Sequence, residues 1–173
     1  MIVNRTTYID QLVRSRGNGL IKIVTGIRRS GKSFLLKKLF CQHLLDDGVQ
    51  DDHIIIIDME SRKNKAFKDP DYLLDYIDNV MKDDNTYYII IDEVQEVNDF
   101  VEVLSTLSVT EGTDVYVTGS NSRFLSSDVV TEFRGRGDEI HVWPLSFKEY
   151  MSVYDGSVEK GWAEYRMYGG LPQ

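Results

Sequence analysis

The chain has 173 residues, 42% of them hydrophobic and 28% charged, a balance that fits one folded domain with a substantial core and excludes a disordered segment. A formal net charge of -8 and a pI near 4.9 exclude a surface that holds nucleic acid by bulk electrostatics, leaving only a local basic patch for such a role. The single cysteine, Cys41 in the apolar run SFLLKKLFCQHLL, excludes an internal disulfide, and no apolar run has the length of a membrane span or the form of a secretory leader, so a soluble cytoplasmic protein without a membrane partner is expected.

The first predicted element is a strand, LIKIVT, over 20–25, followed by the loop TGIRRSGKS and a helix over 32–45. A strand HIIIID (53–58), a helix over 71–81, a strand TYYIIID (86–92), a helix over 99–108, a strand DVYVTG (114–119), a helix over 122–133 and a strand EIHVW (139–143) follow in turn. Three of the strands are nearly continuous apolar runs, as strands buried on both faces of a parallel sheet are. The alternation predicts a layered α/β core over 1–145, with ligands beyond the carboxyl ends of the strands. The segments PLSFKEYMSVYD and VEKGWAEYRMYGGLPQ read as two more helices, the second ending at Gly169 and Gly170, which begin a helical lid over 146–173. The histidines at 43, 53 and 141 lack metal-ligand spacing, so no structural zinc is expected.

The loop after the first strand has the pattern G-x-x-x-x-G-K-S, between a strand and a helix as its chemistry requires. Gly26 and Gly31 let backbone N–H groups turn toward phosphate oxygens, and the helix N-terminus adds partial positive charge. Lys32 is expected to reach the β and γ phosphates and the Ser33 hydroxyl to meet Mg²⁺. The nucleotide-holding stretch is therefore Gly26, Ile27, Arg28, Arg29, Ser30, Gly31, Lys32, Ser33 and Phe34.

Two strands later, YYIIIDEVQ ends in paired acids. Asp92 is suited to the Mg²⁺ shell and Glu93 to orienting and deprotonating a water, a pairing that favours hydrolysis. Ser120 and Asn121, at the tip of DVYVTGSN, are candidates to sense the γ-phosphate, and turn chemistry is the competing reading for each. Arg134 and Arg136, in EFRGRGDEI, are candidates to stabilise transferring charge in the same subunit or across an interface, with Arg136 preferred; capping a helix C-terminus is the alternative.

Taken together, TGIRRSGKS, IIIDEVQ, VTGSNSRFLS, FRGRGDEIHVWPLSFKEY and YGGLP, in this order, resemble the prokaryotic AAA-like ATPases whose full-length members carry a C-terminal domain of unassigned function. The resemblance covers nearly the whole chain. It implies a P-loop NTPase core with a five-stranded parallel sheet of order 5-1-4-3-2, ATP with Mg²⁺, and sensor and arginine-finger positions at Ser120, Asn121, Arg134 and Arg136. It also implies that Pro172 of GGLP sits against the adenine, and that RTTYIDQLV, with Tyr8, lies near the base. The chain stops at Gln173, so the rest of the lid and the C-terminal domain are expected beyond it, and nothing in the sequence shows what would hold the tail GGLPQ.

The leading functional expectation is an ATP-hydrolysing module, exchanging ATP and ADP, whose nucleotide state moves that C-terminal domain. A homo-oligomer, DNA and another protein are the candidate partners. A small-molecule kinase using Asp58 or Glu60 on its acceptor side competes, as does a nucleic-acid motor using Arg28 and Arg29. A GTP switch is disfavoured because NKAF, at 64–67, lacks a guanine-reading aspartate.

Overall fold

In a computed structural model, the structure describes residues 2–119, 133 and 135–171. Five strands, β1 (Ile21–Thr25), β2 (Ile54–Asp58), β3 (Tyr87–Asp92), β4 (Thr113–Thr118) and β5 (Gly137–His141), form one parallel sheet in the order β2-β3-β4-β1-β5. This is the expected 5-1-4-3-2 order, read from the other edge.

Side chains of a strand alternate between the two faces, and the central strands are apolar at almost every position because both faces are covered. Ile89 and Ile91 join Ile55, Ile57, Val115, Val117, Ile21 and Ile23 in one core. Tyr88 and Ile90 point the other way, joining Val24, Tyr116 and Ile140 in a second. The first core is closed by two helices, α3 (Pro70–Val80) and α4 (Phe100–Val109), through Leu73, Ile77, Val103, Leu104 and Leu107. The second is closed by α1 (Thr6–Ser15) and by α2, the helix over 32–46 that follows the phosphate loop. Within α2, Lys32–Phe34 and Cys41–Asp46 are α-helical, and Leu35–Phe40 between them is wound as a π-helix. Cys41 is buried there.

Three of the described helices start on side-chain caps. Asp69 accepts from the Tyr72 amide at 2.9 Å, with Pro70 in the first turn of α3. Ser146 and Glu149 form a capping box at α5 (Phe147–Met151), and Ser157 caps α6 (Val158–Tyr168). α5 is much shorter than the run PLSFKEYMSVYD suggests. The fifth strand begins two residues before the expected 139 and ends two before 143, because backbone pairing with β1, Gly137 opposite Ile21 and His141 opposite Thr25, sets its limits rather than the apolar pair Val142 and Trp143. The helix expected over 122–133 falls outside the described residues, apart from Phe133, which is buried in the first core. Among the described residues no helix is long and apolar enough to cross a membrane.

Parallel pairing brings all five carboxyl ends to one edge. Asp58 lies opposite Asp92, Val24 opposite Thr118, and Thr25 opposite His141. The phosphate loop leaves β1 at that edge.

Candidate functional site

Gly26 begins the loop at φ 139°, and a Cβ there would lie 2.3 Å from the Val142 carbonyl oxygen, so glycine alone fits. The loop closes on Lys32, only 4% exposed, whose ammonium donates to the carbonyls of Gly26 at 2.9 Å and Ile27 at 3.1 Å. Burial lowers its pKa against the opposing pull of Glu93, Asp92 and Glu60. Ser33 follows on the first turn of α2, and its hydroxyl donates to Asp92 Oδ1 at 2.8 Å.

Asp92, 1% exposed at the tip of β3, is held from three sides. Its Oδ1 also accepts from Thr118 Oγ1 at 2.6 Å, and its Oδ2 lies 2.6 Å from the Lys37 ammonium. Lys37 stands one turn beyond Ser33 and also reaches Asp58 Oδ2 at 2.8 Å. Burial alone would lower the Lys37 pKa, but the bonds to Asp58 and Asp92 outweigh it and the net shift is upward. For Asp58, burial is outweighed by Lys37 and by the amides of Glu60 and Ser61, and its pKa falls.

The next residue, Glu93, takes a left-handed backbone, φ 57° and ψ 54°, at the start of the 3-10 turn Val94–Glu96. Its amide donates to Thr118 Oγ1 at 2.9 Å, and its carboxylate accepts from Gln95 Nε2. Strain of this kind at a non-glycine residue is held only where the surroundings enforce it, and it turns Glu93 into the cleft. That cleft, about 920 Å³, is lined by Arg28, Arg29, Gly31, Lys32, Ser33, Phe34, Glu60, Glu93, Tyr168 and Leu171.

The structure thus brings together most of the expected stretch, with Glu93 facing Lys32 and Ser33 across one cleft. It does not bring Tyr8 there. Tyr8 lines a separate cleft, its hydroxyl accepting from the Trp143 amide at 3.2 Å and its ring lying beneath the Arg5 guanidinium at 4.5 Å. Arg136 is also elsewhere. Its carbonyl accepts from the Ile21 amide at 2.9 Å, at the start of β1, and since β5 runs parallel to β1 it stands at the opposite edge of the sheet from the loop. Five residues of strand, roughly 16 Å at about 3.3 Å each, separate it from its own phosphate loop, so the same-subunit role is corrected: Arg136 does not reach this cleft. Ser120, Asn121, Arg134 and Pro172 lie outside the described residues.

Three side chains at or behind the cleft were not singled out from the sequence. Thr118 precedes the polar tip of β4, and a hydroxyl ending a strand beside the loop strand was the available signal. Lys37 is four residues after Ser33, on the same helix face. Arg5, 7% exposed, donates to the Ser30 carbonyl at 3.2 Å and the Trp143 carbonyl at 2.6 Å and pairs with Glu149 at 3.1 Å, joining the phosphate loop to α5. Gly170 is also better held than the sequence suggests. The Leu145 amide donates to the Gly170 carbonyl at 2.6 Å, and the Tyr165 hydroxyl donates to the Leu145 carbonyl at 2.6 Å. A Cβ on Gly170 would meet that Leu145 oxygen at 2.1 Å, which accounts for glycine at this position.

Among the described residues no group of three or more His, Cys, Asp and Glu could cage a metal. Mg²⁺ needs none, because it takes few protein oxygens and completes its shell with water and phosphate. The hard oxygens of Ser33 and Asp92, already 2.8 Å apart, fit it.

A five-stranded parallel sheet of this order, with a phosphate loop leaving β1 and paired acids ending β3, defines a P-loop NTPase. Within that class the chain belongs to the AAA family, whose domain model matches residues 18–151. The chain is 33% identical over 177 aligned positions to an uncharacterized protein of Haemophilus influenzae, covering 99% of this chain and 44% of that one. It is 28% identical to an uncharacterized protein of Methanocaldococcus jannaschii, covering 88% and 36%. The chain therefore spans less than half the length of these curated relatives. Its fold is similar to that of PCH-2 from C. elegans (TM-score 0.55, 20% identity, 87% of this chain and 42% of that one). It is also similar to that of Hsp104 from S. cerevisiae in a casein complex (TM-score 0.58, 14% identity, 96% and 31%).

Proposed function

We propose that this chain is a Mg²⁺-dependent ATPase module that converts ATP and water to ADP and phosphate, and that its nucleotide state drives or gates a C-terminal domain. The carrying observation is the linked set Ser33, Asp92 and Thr118, with Glu93 fixed on the next residue and facing Lys32 across the cleft. In this reading Lys32, Arg28 and Arg29 bind the phosphates, Ser33 and Asp92 hold Mg²⁺, and Glu93 takes the proton from the attacking water. Mg²⁺ supplies charge neutralisation at the β and γ oxygens when bound. Water as acceptor is favoured over a small-molecule hydroxyl because Asp58, one of the two acids a kinase reading would use beside Glu60, is already engaged by Lys37.

Arg136, remote from its own cleft, acts in this account on the cleft of a neighbouring copy, which makes the working form a homo-oligomer. The greater length of the relatives supports a further domain beyond residue 173, and the absence of a spanning helix among the described residues accords with a cytoplasmic site of action. Calorimetry of Mg·ATP binding and assay of phosphate release, on this chain and on the full-length gene product, test the reading. Binding by both, with turnover by the full-length product, is expected. Absence of both activities from the full-length product would overturn it.

A further inference from the structure

Gln95 has no role in the chemistry described so far, yet it is placed where few amides are. It lies on the 3-10 turn that begins at Glu93 and is 8% exposed, between Val94 and the loop that leads to α4. Its Nε2 donates to Glu93 Oε2. Its Oε1 is buried and has no hydrogen-bond partner among the described residues. A fold that buries an amide while leaving its carbonyl unpaired gives up stability that an apolar side chain of the same size would keep, so the donor half of the amide is where a use must be sought.

We infer that Gln95 is a positioning residue for Glu93, an inference that rests on the ATPase reading above. Among the described residues, Thr118 Oγ1 accepts from the Glu93 amide and Gln95 donates to its carboxylate. The first fixes the left-handed backbone and the second fixes the side-chain torsions. Thr118 also donates to Asp92, so the same frame registers the water-activating acid against the acid that faces the metal. An amide can donate to Glu93 but does not take up its proton, so Gln95 orients the base without relaying the proton, which Glu93 releases to solvent or product phosphate before the next turnover. Gln95 is 8% exposed and does not line the cleft that holds Lys32 and Ser33, so its role runs through the orientation of its neighbour.

The test uses Gln95→Met, which keeps the volume and removes the donor, alone and combined with Glu93→Gln. Gln95→Met should lower kcat by about ten- to a hundredfold, the scale of a misaligned catalytic group, with the Kd for Mg·ATP within about twofold of wild type. In the Glu93→Gln background it should add nothing, because there is no longer a base to position. In the nucleotide-free protein, the Gln95 carboxamide protons should exchange slowly with solvent and exchange fast in Glu93→Ala, a readout independent of turnover. A wild-type kcat in Gln95→Met, or an equal loss in both backgrounds, overturns the inference. Slow, Glu93-dependent exchange without turnover in any form leaves the bond standing and overturns the ATPase reading with the positioning role.

Discussion

The Lys37 ammonium lies 2.6 Å from Asp92 Oδ2 and 2.8 Å from Asp58 Oδ2, bridging the carboxylates that end two neighbouring strands. Parallel pairing forces Asp58 and Asp92 to lie side by side, and at that spacing two unscreened carboxylates would repel. Lys37 therefore offsets much of the repulsion within the pair, and its hold on Oδ2 leaves Asp92 Oδ1 to Ser33 and Thr118.

Removing it should be felt twice. Lys37→Met leaves Asp92 buried without its cation, and we expect a loss of about 2 kcal/mol in urea unfolding. Full burial would put the figure nearer 3–5 kcal/mol, and the part-exposed lysine reduces it. Affinity for Mg·ATP should fall more than affinity for nucleotide without metal, because the carboxylate facing the metal loses its fixed orientation. An unchanged midpoint and unchanged Mg²⁺ dependence would show that Lys37 is only a surface partner.

A second cluster, at the amino-terminal edge of the sheet, predicts a pH effect. His53 stacks on Tyr87 and meets Asp52 through Nδ1 at 2.8 Å and Asp83 through Nε2 at 3.1 Å. The bond to Asp52, then that to Asp83, raises the histidine pKa against burial; the Asn85 amide, and then His53 among its partners, lowers that of Asp83. The raised His53 value means that its stabilisation is complete below the unfolded value, about 6.5, and is lost as pH rises through the higher folded value. The lowered Asp83 value means the opposite: its contribution is present above the ordinary carboxylate range and is lost as pH falls through the folded value. Thermal melts from about pH 5 to about pH 9 should show wild type losing its advantage over His53→Gln on the alkaline side. Parallel melting curves across that range would contradict the assignment.

Arg136, at the opposite edge of the sheet from its own phosphate loop, should act only between copies. Arg136→Ala should lower turnover more than ATP affinity, since a cation that meets charge developing in the transition state adds little to ground-state binding. Mixing it with Lys32→Ala subunits should restore part of the rate, because each partner supplies what the other lacks. No recovery, in a protein that light scattering shows to be monomeric, would leave Arg136 as a turn residue before β5.

The strands and the phosphate loop are legible because they rest on local signals, apolar runs, glycine spacing and acids at a strand tip, whereas the strand order follows only from the family resemblance. What was missed depends on register. Thr118 meets Asp92 and Glu93 only because β4 lies between β3 and β1, whereas the place of Arg136 at the amino end of β5, away from the cleft, already follows from a parallel sheet. Lys37 had a legible periodicity with Ser33, but its two carboxylate partners come from different strands. α1 is legible in the sequence, since Tyr8, Ile9, Leu12 and Val13 recur at helical spacing and lie against the second core. The grip on Gly170 was invisible because it is a backbone contact with Leu145, which no side-chain pattern announces.

The central claim is that Glu93 activates water at a site where Lys32, Ser33 and Asp92 hold Mg·ATP, and single-turnover hydrolysis by Glu93→Gln alongside its ATP affinity tests it most directly. The account predicts that ATP stays bound with little change, as long as Lys32 is intact, while hydrolysis slows by about a hundredfold or more. Hydrolysis at the wild-type rate, or loss of ATP binding in the Glu93→Gln protein, would contradict it.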